Sequence, residues 1–350
     1  MPQNQSKPAD SSGLLHGLLD ANLQFPPEYR DQLTNHLPMA LHALQSLGAS
    51  PQRMQDFYAT YTRRFEGLDL PARVSAPGSP TFDWRVLRGQ PDAYPALLAY
   101  FNQQVVQGGR DATLRRALPE LLPGVAAAAF HGLIRAAHAA DVGHAGELAA
   151  ALAYWAWRWQ PLAAPANVGA LLGLEDWAAR LVRDAVGWHS DKGLISIRMD
   201  EASRSPVYLD LAGALAPAES LGMRIAELAA WAVGRYAASP NFTVLHMITG
   251  LHAFRTLLPW LEGSDAVQPA VQRVLAHNVT AAYLAAGVAP PEALAGGLPE
   301  PSPPGWTQVV AAAIASDDEH VIKLVHACRQ EAAVYGQGQY LRAAAQAVSA

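Results

Sequence analysis

The chain has 350 residues, 51% of them hydrophobic and 16% charged, with a net charge of −5. Half the residues being apolar, a sizeable core can form, and so low a charged fraction points to broad buried helix surfaces rather than an exposed or coiled-coil protein. The absence of a basic stretch argues against nucleic acid as a partner, and the single cysteine, Cys328, rules out a disulfide framework or a Cys-based zinc site.

Residues 1–12, "MPQNQSKPADSS", are polar and read as a disordered tail. They carry no apolar core of a secretory signal, and no run of about 18 apolar residues free of charges and breakers offers a membrane span. The expected compartment is therefore the cytoplasm, and no membrane partner is expected. Residues 13–350 are expected to form one helical domain, although the length exceeds the usual ~100–200 residues of a domain.

Two helices are predicted between Asn35 and Phe65, broken at "LGASPQ". There Gly48 is a helix stop, Ser50 the next N-cap and Pro51 the first helical residue. A loop rich in Pro and Ser follows from Arg73 to Pro91. Helical patterns then cover 92–107, 111–118, 123–140 and 145–160, and "QPLAAPANVGALLG" is a connector. Further helices are predicted near 175–187, 218–238, 242–261 and 266–286, then, after a Pro/Gly-rich loop, at 306–314, 316–332 and 337–348. The one strand candidate is "LISIRMD" at 194–200, so the fold class expected is all-α, with helices around a buried pocket. No G-x-G-x-x-G follows a strand, and G-x-x-x-x-G-K-[ST], H-E-x-x-H and G-x-S-x-G are absent, so no nucleotide-binding, flavin or common hydrolase template applies.

Eight of the twelve histidines fall in four short apolar segments: "NHLPMALHAL" (His36, His42), "FHGLIRAAHAA" (His131, His138), "VLHMITGLHAF" (His246, His252) and "EHVIKLVHAC" (His320, His326). Three pairs are six residues apart and one is seven. On a helix, i and i+6 differ by roughly 120° around the axis, while i+7 shares a face but lies roughly 10.5 Å along it. Metal–nitrogen bonds are about 2 Å, so donors must converge. Each segment can thus offer one ligand, and four segments can offer four, as in metal sites built between facing helices. The alternative is a set of hydrogen-bonded core histidines. The second member of each pair is expected to support the ligands, face a substrate or be structural.

Lys323 lies one turn from His320, so their side chains are neighbours. A protonated lysine would repel a metal ion. Burial can make it neutral, or CO2 can convert it to a carbamate with anionic oxygen donors. It can also simply pair with Asp317, Asp318 or Glu319. Ser316 and Glu319 fit an S-x-x-E capping box at the start of this helix.

Taken together, "NHLPMALHALQSLGASPQRMQDFY", "FHGLIRAAHA" with "LAAALAYWA", "FTVLHMITGLHAFR" and "DDEHVIKL" resemble the questin oxidase-like family. The resemblance runs from about His36 to the end of the last histidine helix. It implies an oxidoreductase that uses O2 on an aromatic polyketide such as an anthraquinone, by Baeyer–Villiger-like or ring-cleaving chemistry, with NADPH as a possible reductant. An oxygenase without a nucleotide fold needs another way to activate O2, and iron is the common one. Histidine suits Zn, Cu, Fe and Ni alike, so iron follows from the implied reaction.

By resemblance, His36 matches the histidine of the N-H-x-x-M-like opening, His131 that before the G-L-I-R-like run, His246 the first of the L-H-x-x-T-G segment, and His320 with Lys323 the H-x-I-K segment. His252 stands as the alternative to His246. The expected metal ligands are therefore His36, His131, His246, His320 and Lys323, with Lys323 a ligand if carboxylated and a general base if neutral. Arg135, one turn after His131, is a candidate for binding a phenolate or carboxylate, or else an internal ion pair. Tyr154, Trp155, Trp157 and Trp159 are candidates for stacking a planar substrate, although such a run is more often core on one side and groove on the other. Gly250, beside Thr249 in a helix interior, costs ~1 kcal/mol against alanine and so needs a reason such as close approach. Two other functions stay open: a metal-dependent hydrolase or lactonase using the same histidines, and a helical ligand-binding protein with structural histidines. Nothing in the sequence encodes an oligomeric state.

Overall fold

The computed structural model of the protein describes residues 11–68, 82–165, 170–261, 267–287, 304–336 and 338–349. These residues form fifteen α-helices and one small antiparallel ribbon, β1 (Glu28–Tyr29) with β2 (Leu33–Thr34), so the fold is all-α. The first helices are α1 (Ser11–Asn22), α2 (Leu37–Leu47), α3 (Pro51–Thr62), α4 (Tyr94–Leu121), α5 (His131–Val142) and α6 (Ala145–Trp157). Next come α7 (Leu174–Asp184), α8 (Ile195–Ala202), α9 (Pro206–Leu211), α10 (Leu221–Ala238) and α11 (Phe242–Leu261). The last are α12 (Val267–Ala286), α13 (Trp306–Ala315), α14 (Glu319–Tyr335) and α15 (Gly338–Ser349). No described helix is long and apolar enough to cross a membrane.

Local chemistry sets most boundaries as the sequence predicts. Gly48 closes α2 in the left-handed region at φ 91°, and the Ser50 side chain accepts from the Arg53 N–H to start α3, with Pro51 first in that helix. Residues 1–10 lie outside the described residues, but Ser11 and Ser12, expected in a tail, already belong to α1. There Leu15 and Leu19, one turn apart, are buried and anchor the helix. The loop expected at 73–91 is described only from 82 onward, where Trp84–Leu87 form a 3-10 turn.

Two expectations are corrected. The "LISIRMD" segment is the helix α8: Ile195, Met199 and Ala202 are buried, at the i, i+4, i+7 spacing of one helix face, and pack on α12. Its short apolar alternation fits both periods, and the partner surface decides between them. The helix expected over 123–140 starts only at His131. Before it, Ala128, Ala129 and Phe130 stand at φ 45°, 57° and 70°, left-handed positions that cost a non-glycine residue roughly 1–2 kcal/mol. An alanine-rich run with good helix propensity is overridden here by tertiary contacts, directly beside a histidine.

At the centre lie α2, α5, α11 and α14. Buried residues occupy every face of α2 from Leu37 to Leu44, of α5 from His131 to Ala140, and of α11 from Thr243 to Phe254. A helix apolar all round belongs in an interior. Helix α2 packs on α5 and α14, and α11 packs on α5 and α14. These four helices hold all eight paired histidines, His36 being the residue that caps α2.

Candidate metal centre

The two members of each histidine pair go to two separate clusters. His36, His131, His246 and His320 form the first: ring centroids lie 4.6 Å apart for His36–His131, 4.7 Å for His36–His320, 4.9 Å for His131–His246 and 5.5 Å for His246–His320. Donor atoms of His36, His131 and His320 all lie within 4.8 Å of one another. His42, His138, His252 and His326 form the second cluster. His246, not His252, therefore stands beside His131 and His320.

Each helix carries its first-cluster histidine before its second-cluster one, so all four helices run in the same direction, from one cluster to the other. The first cluster sits at their N-terminal ends: His36 caps α2, His131 opens α5, His320 is second in α14 and His246 lies one turn into α11. Helix N-termini carry partial positive charge and favour anions.

The outer contacts fix which nitrogen faces the centre. His36 Nδ1 meets Glu319 Oε1 at 3.3 Å, His246 Nδ1 meets the Phe242 carbonyl at 2.7 Å, His320 Nδ1 meets Asp318 Oδ1 at 3.4 Å, and His131 Nδ1 meets the Ala128 carbonyl. Carboxylates and carbonyls only accept, so each Nδ1 carries a proton and each Nε2 turns inward. The His36 and His131 Nε2 atoms face each other at 2.7 Å, an approach that needs a proton or a metal ion between them. Metal-binding imidazoles are oriented by such outer acceptors. The strained turn before His131 now has a local use, since it presents the Ala128 carbonyl to that ring.

Further contacts brace this shell. Glu319 forms a two-pronged ion pair with Arg64, at 2.7 Å and 3.1 Å. Burial raises the Glu319 carboxyl, but the Arg64 hydrogen bond and nearby His320 bring it below its ordinary value. The His36 backbone N–H donates to the Tyr61 hydroxyl at 2.9 Å. The expected capping box at Ser316 is corrected: Asp318 is the N-cap and accepts from the His320 and Val321 N–H groups, which frees Glu319 to serve His36.

Burial first, then the charge of Lys323 and of the neighbouring imidazoles, holds His36 well below 6.5. His131 and His246 are lowered likewise, by burial first and then by neighbouring imidazoles. His320 is lowered too, mainly by burial. Lys323 is buried, makes no ion pair among the described residues, and is pushed down to about 8 by burial. Histidines kept neutral retain the lone pairs that a cation requires.

Arg135 is placed elsewhere. Its Nε and Nη2 donate to Glu147 at 2.5 Å and 3.0 Å, and both residues are buried, so it braces α5 on α6. Arg198 of α8 is a cation that bears on the cluster; its charge lowers His246. Tyr154 and Trp155 are core, while Trp157 and Trp159 line an outer groove. Gly250 has its reason: a β-carbon there would lie 3.2 Å from the Phe130 ring. The cluster is least covered at His320 and at Phe242, whose half-exposed ring lies edge-on to both His246 and His320 at 4.7 Å.

Sequence reasoning missed Glu319, Asp318, Arg64 and the Phe242 and Ala128 carbonyls as supports. The acids next to His320 in "DDEHVIKL" are a signal for two of them; a backbone carbonyl leaves none.

No curated protein matches the chain significantly. The family model described as Questin oxidase-like matches residues 33–328, most of the chain. The match covers all four histidine-bearing helices through Cys328, and on that span the chain belongs to the questin oxidase-like family.

Proposed function

We propose that the protein is an O2-dependent oxidoreductase that acts on a polycyclic phenol or quinone, at an iron ion held by His36, His131, His246 and His320. The observation that carries this reading is the convergence of the His36, His131 and His320 donor atoms within 4.8 Å, with the His246 ring alongside, all four Nδ1 atoms being taken by outer acceptors. Such a donor set fits a divalent transition ion. Iron is favoured among such ions by the family's oxidative chemistry. When bound, it would supply the binding and redox chemistry that O2 needs to react with a closed-shell aromatic molecule.

The protein's own groups do the rest. Glu319, Asp318 and the two carbonyls hold the rings in place. Lys323, pushed down to about 8, has a minor neutral fraction near pH 7, and that free amine either accepts a proton from a substrate phenol or adds CO2, forming an N–C bond and releasing one proton. The resulting carbamate would be the one anionic donor in a set of neutral ones, and the four helix N-termini favour an anion at this place. Phe242 and the exposed edge of His320 line the side on which a flat substrate enters, with Arg198 nearby to balance a phenolate. In the oxygenase stoichiometry one oxygen atom enters the substrate and the other leaves as water, with NADPH as the proposed donor of the two electrons.

Elemental analysis of wild type and His320→Ala, followed by O2 uptake with anthraquinones, tests the reading. Iron in the wild type, reduced by one ion per chain in the variant, with substrate-dependent O2 uptake, is expected. Zinc with turnover that ignores O2 would replace the oxygenase with a hydrolase, and a wild type whose metal content does not change in His320→Ala would remove the site.

A further inference from the structure

The second cluster uses the same four helices about two turns further along each. Its ring centroids are 5.0 Å apart for His42–His138 and 5.4 Å for His42–His326, His138–His326 and His252–His326. All four residues are buried. A cavity of about 10 Å3 lies among them, bounded also by Asp141, Thr249 and Thr256.

Two of the four are oriented by carboxylates on their outer side. His42 Nε2 lies 3.3 Å from Asp141 Oδ2, and His252 Nδ1 lies 2.6 Å from Glu331 Oε1, which Arg255 also binds at 2.6 Å. Those contacts put the protons outside and leave His42 Nδ1 and His252 Nε2 as lone pairs. His42 Nδ1 faces His138 Nδ1 at 2.8 Å. His326, at 2% exposure, has no partner on either ring nitrogen. A buried polar group without a partner is costly, and here two such atoms lie in one ring beside three other imidazoles. Burial and the neighbouring imidazoles keep His138 and His326 neutral.

We propose that His42, His138, His252 and His326 form a second binding site for a divalent first-row transition metal ion, separate from the first cluster. The two sites lie roughly 9 Å apart, six residues along a helix, too far for one ion to serve both. Asp141 and Glu331 offset the ion's charge from outside. The site is wider than the first: no three of its donor atoms lie within 4.8 Å of one another. Two nitrogens bound to one ion at about 2.0–2.1 Å stand roughly 3.0–3.4 Å apart. Closure therefore needs His42 and His138 to part slightly, His326 and His252 to turn toward the cavity, and the His138 proton to move from Nδ1 to Nε2.

The test is a titration of metal-free, full-length protein with Co2+ alone, read by visible ligand-field absorption and by elemental analysis after desalting. Wild type, His320→Ala, His326→Ala and His42→Gln are compared, each checked for helicity by circular dichroism. Two equivalents are expected in wild type and one in each variant, with different spectra for the ion left in His320→Ala and in His326→Ala. One equivalent in wild type that is unchanged in His326→Ala and His42→Gln would overturn the second site and leave the first intact. One equivalent that survives in His320→Ala and is lost in His42→Gln would support the second site and overturn the first instead. If His326→Ala does not fold, His42→Gln decides.

Discussion

The two histidine clusters have the same parts list and different finish. Each takes one imidazole from α2, α5, α11 and α14, and each has a glutamate shared between a histidine and an arginine: Glu319 with His36 and Arg64, Glu331 with His252 and Arg255. In the first cluster every ring has an outer acceptor, a buried lysine stands alongside, and one edge is open at His320 and Phe242. In the second, only His42 and His252 are held by carboxylates, and His326 has no partner. Histidine repeats one to two turns along each of the four helices. What differs between the two clusters is the number of rings held by an outer acceptor and the buried lysine beside the first.

The largest effect expected comes from the brace common to both levels. Arg135 sits on α5 between His131 and His138, and Arg135→Met leaves Glu147 buried and unpaired. Denaturant unfolding should register a loss of about 3–5 kcal/mol, with both clusters weakened together; a loss confined to one cluster would contradict a shared scaffold. Next come the matched carboxylates. Glu319→Gln should weaken metal binding at the first cluster about 10–100-fold, and Glu331→Gln should do the same at the second. Each should leave the other cluster within about twofold, because Glu319 and Glu331 have no partner in common. Isothermal titration on both variants would expose any crossover.

The clusters should also share one pH response. His36, His131, His246, His138 and His326 are all held well below 6.5 in the folded protein. As pH falls below about 6.5 the unfolded chain takes up protons that the folded chain refuses. Stability of the metal-free protein is thus fully present above that pH and is lost below it, by about 1.4 kcal/mol per pH unit for each such histidine. Thermal melts from pH 8 to pH 5 check this, and His138→Gln should make the slope shallower; a flat profile would mean that the rings are not held neutral. The smallest effect concerns the first cluster alone. A β-carbon on Gly132 would lie 2.8 Å from Trp155 Cβ and 2.9 Å from its Cα, so Gly132→Ala must shift α5 against α6 beside His131. Overpacking costs about 1–3 kcal/mol, offset by ~1 kcal/mol of helix propensity. A stabilised variant with unchanged metal binding would show that this contact gives way freely.

Much of this molecule is legible in its residues. Periodicity and the Gly48–Ser50–Pro51 punctuation locate most helices, and four apolar segments with paired histidines mark the helices that meet at the centre. The spacing within each pair already says that its two members cannot share one ion. It does not say that the second members gather among themselves, because that depends on how α2, α5, α11 and α14 cross and on all four running the same way. The strand reading of "LISIRMD" and the helix reading of residues 123–130 failed for the same cause: short segments take the form that the neighbouring surface rewards, α12 in one case and the Phe130–Gly250 contact in the other.

Helical class, the positions of most helices and the four segments that carry paired imidazoles are readable in the sequence alone, since they depend on hydrophobic period, caps and residue type, all local properties. Which imidazoles face one another, which nitrogen of each carries the proton, that Glu319 serves His36 rather than a capping box, and that Arg135 is held by Glu147 were decided only in the tertiary structure. Those outcomes rest on distances between atoms far apart in the chain: Glu319 reaches His36 across 283 residues.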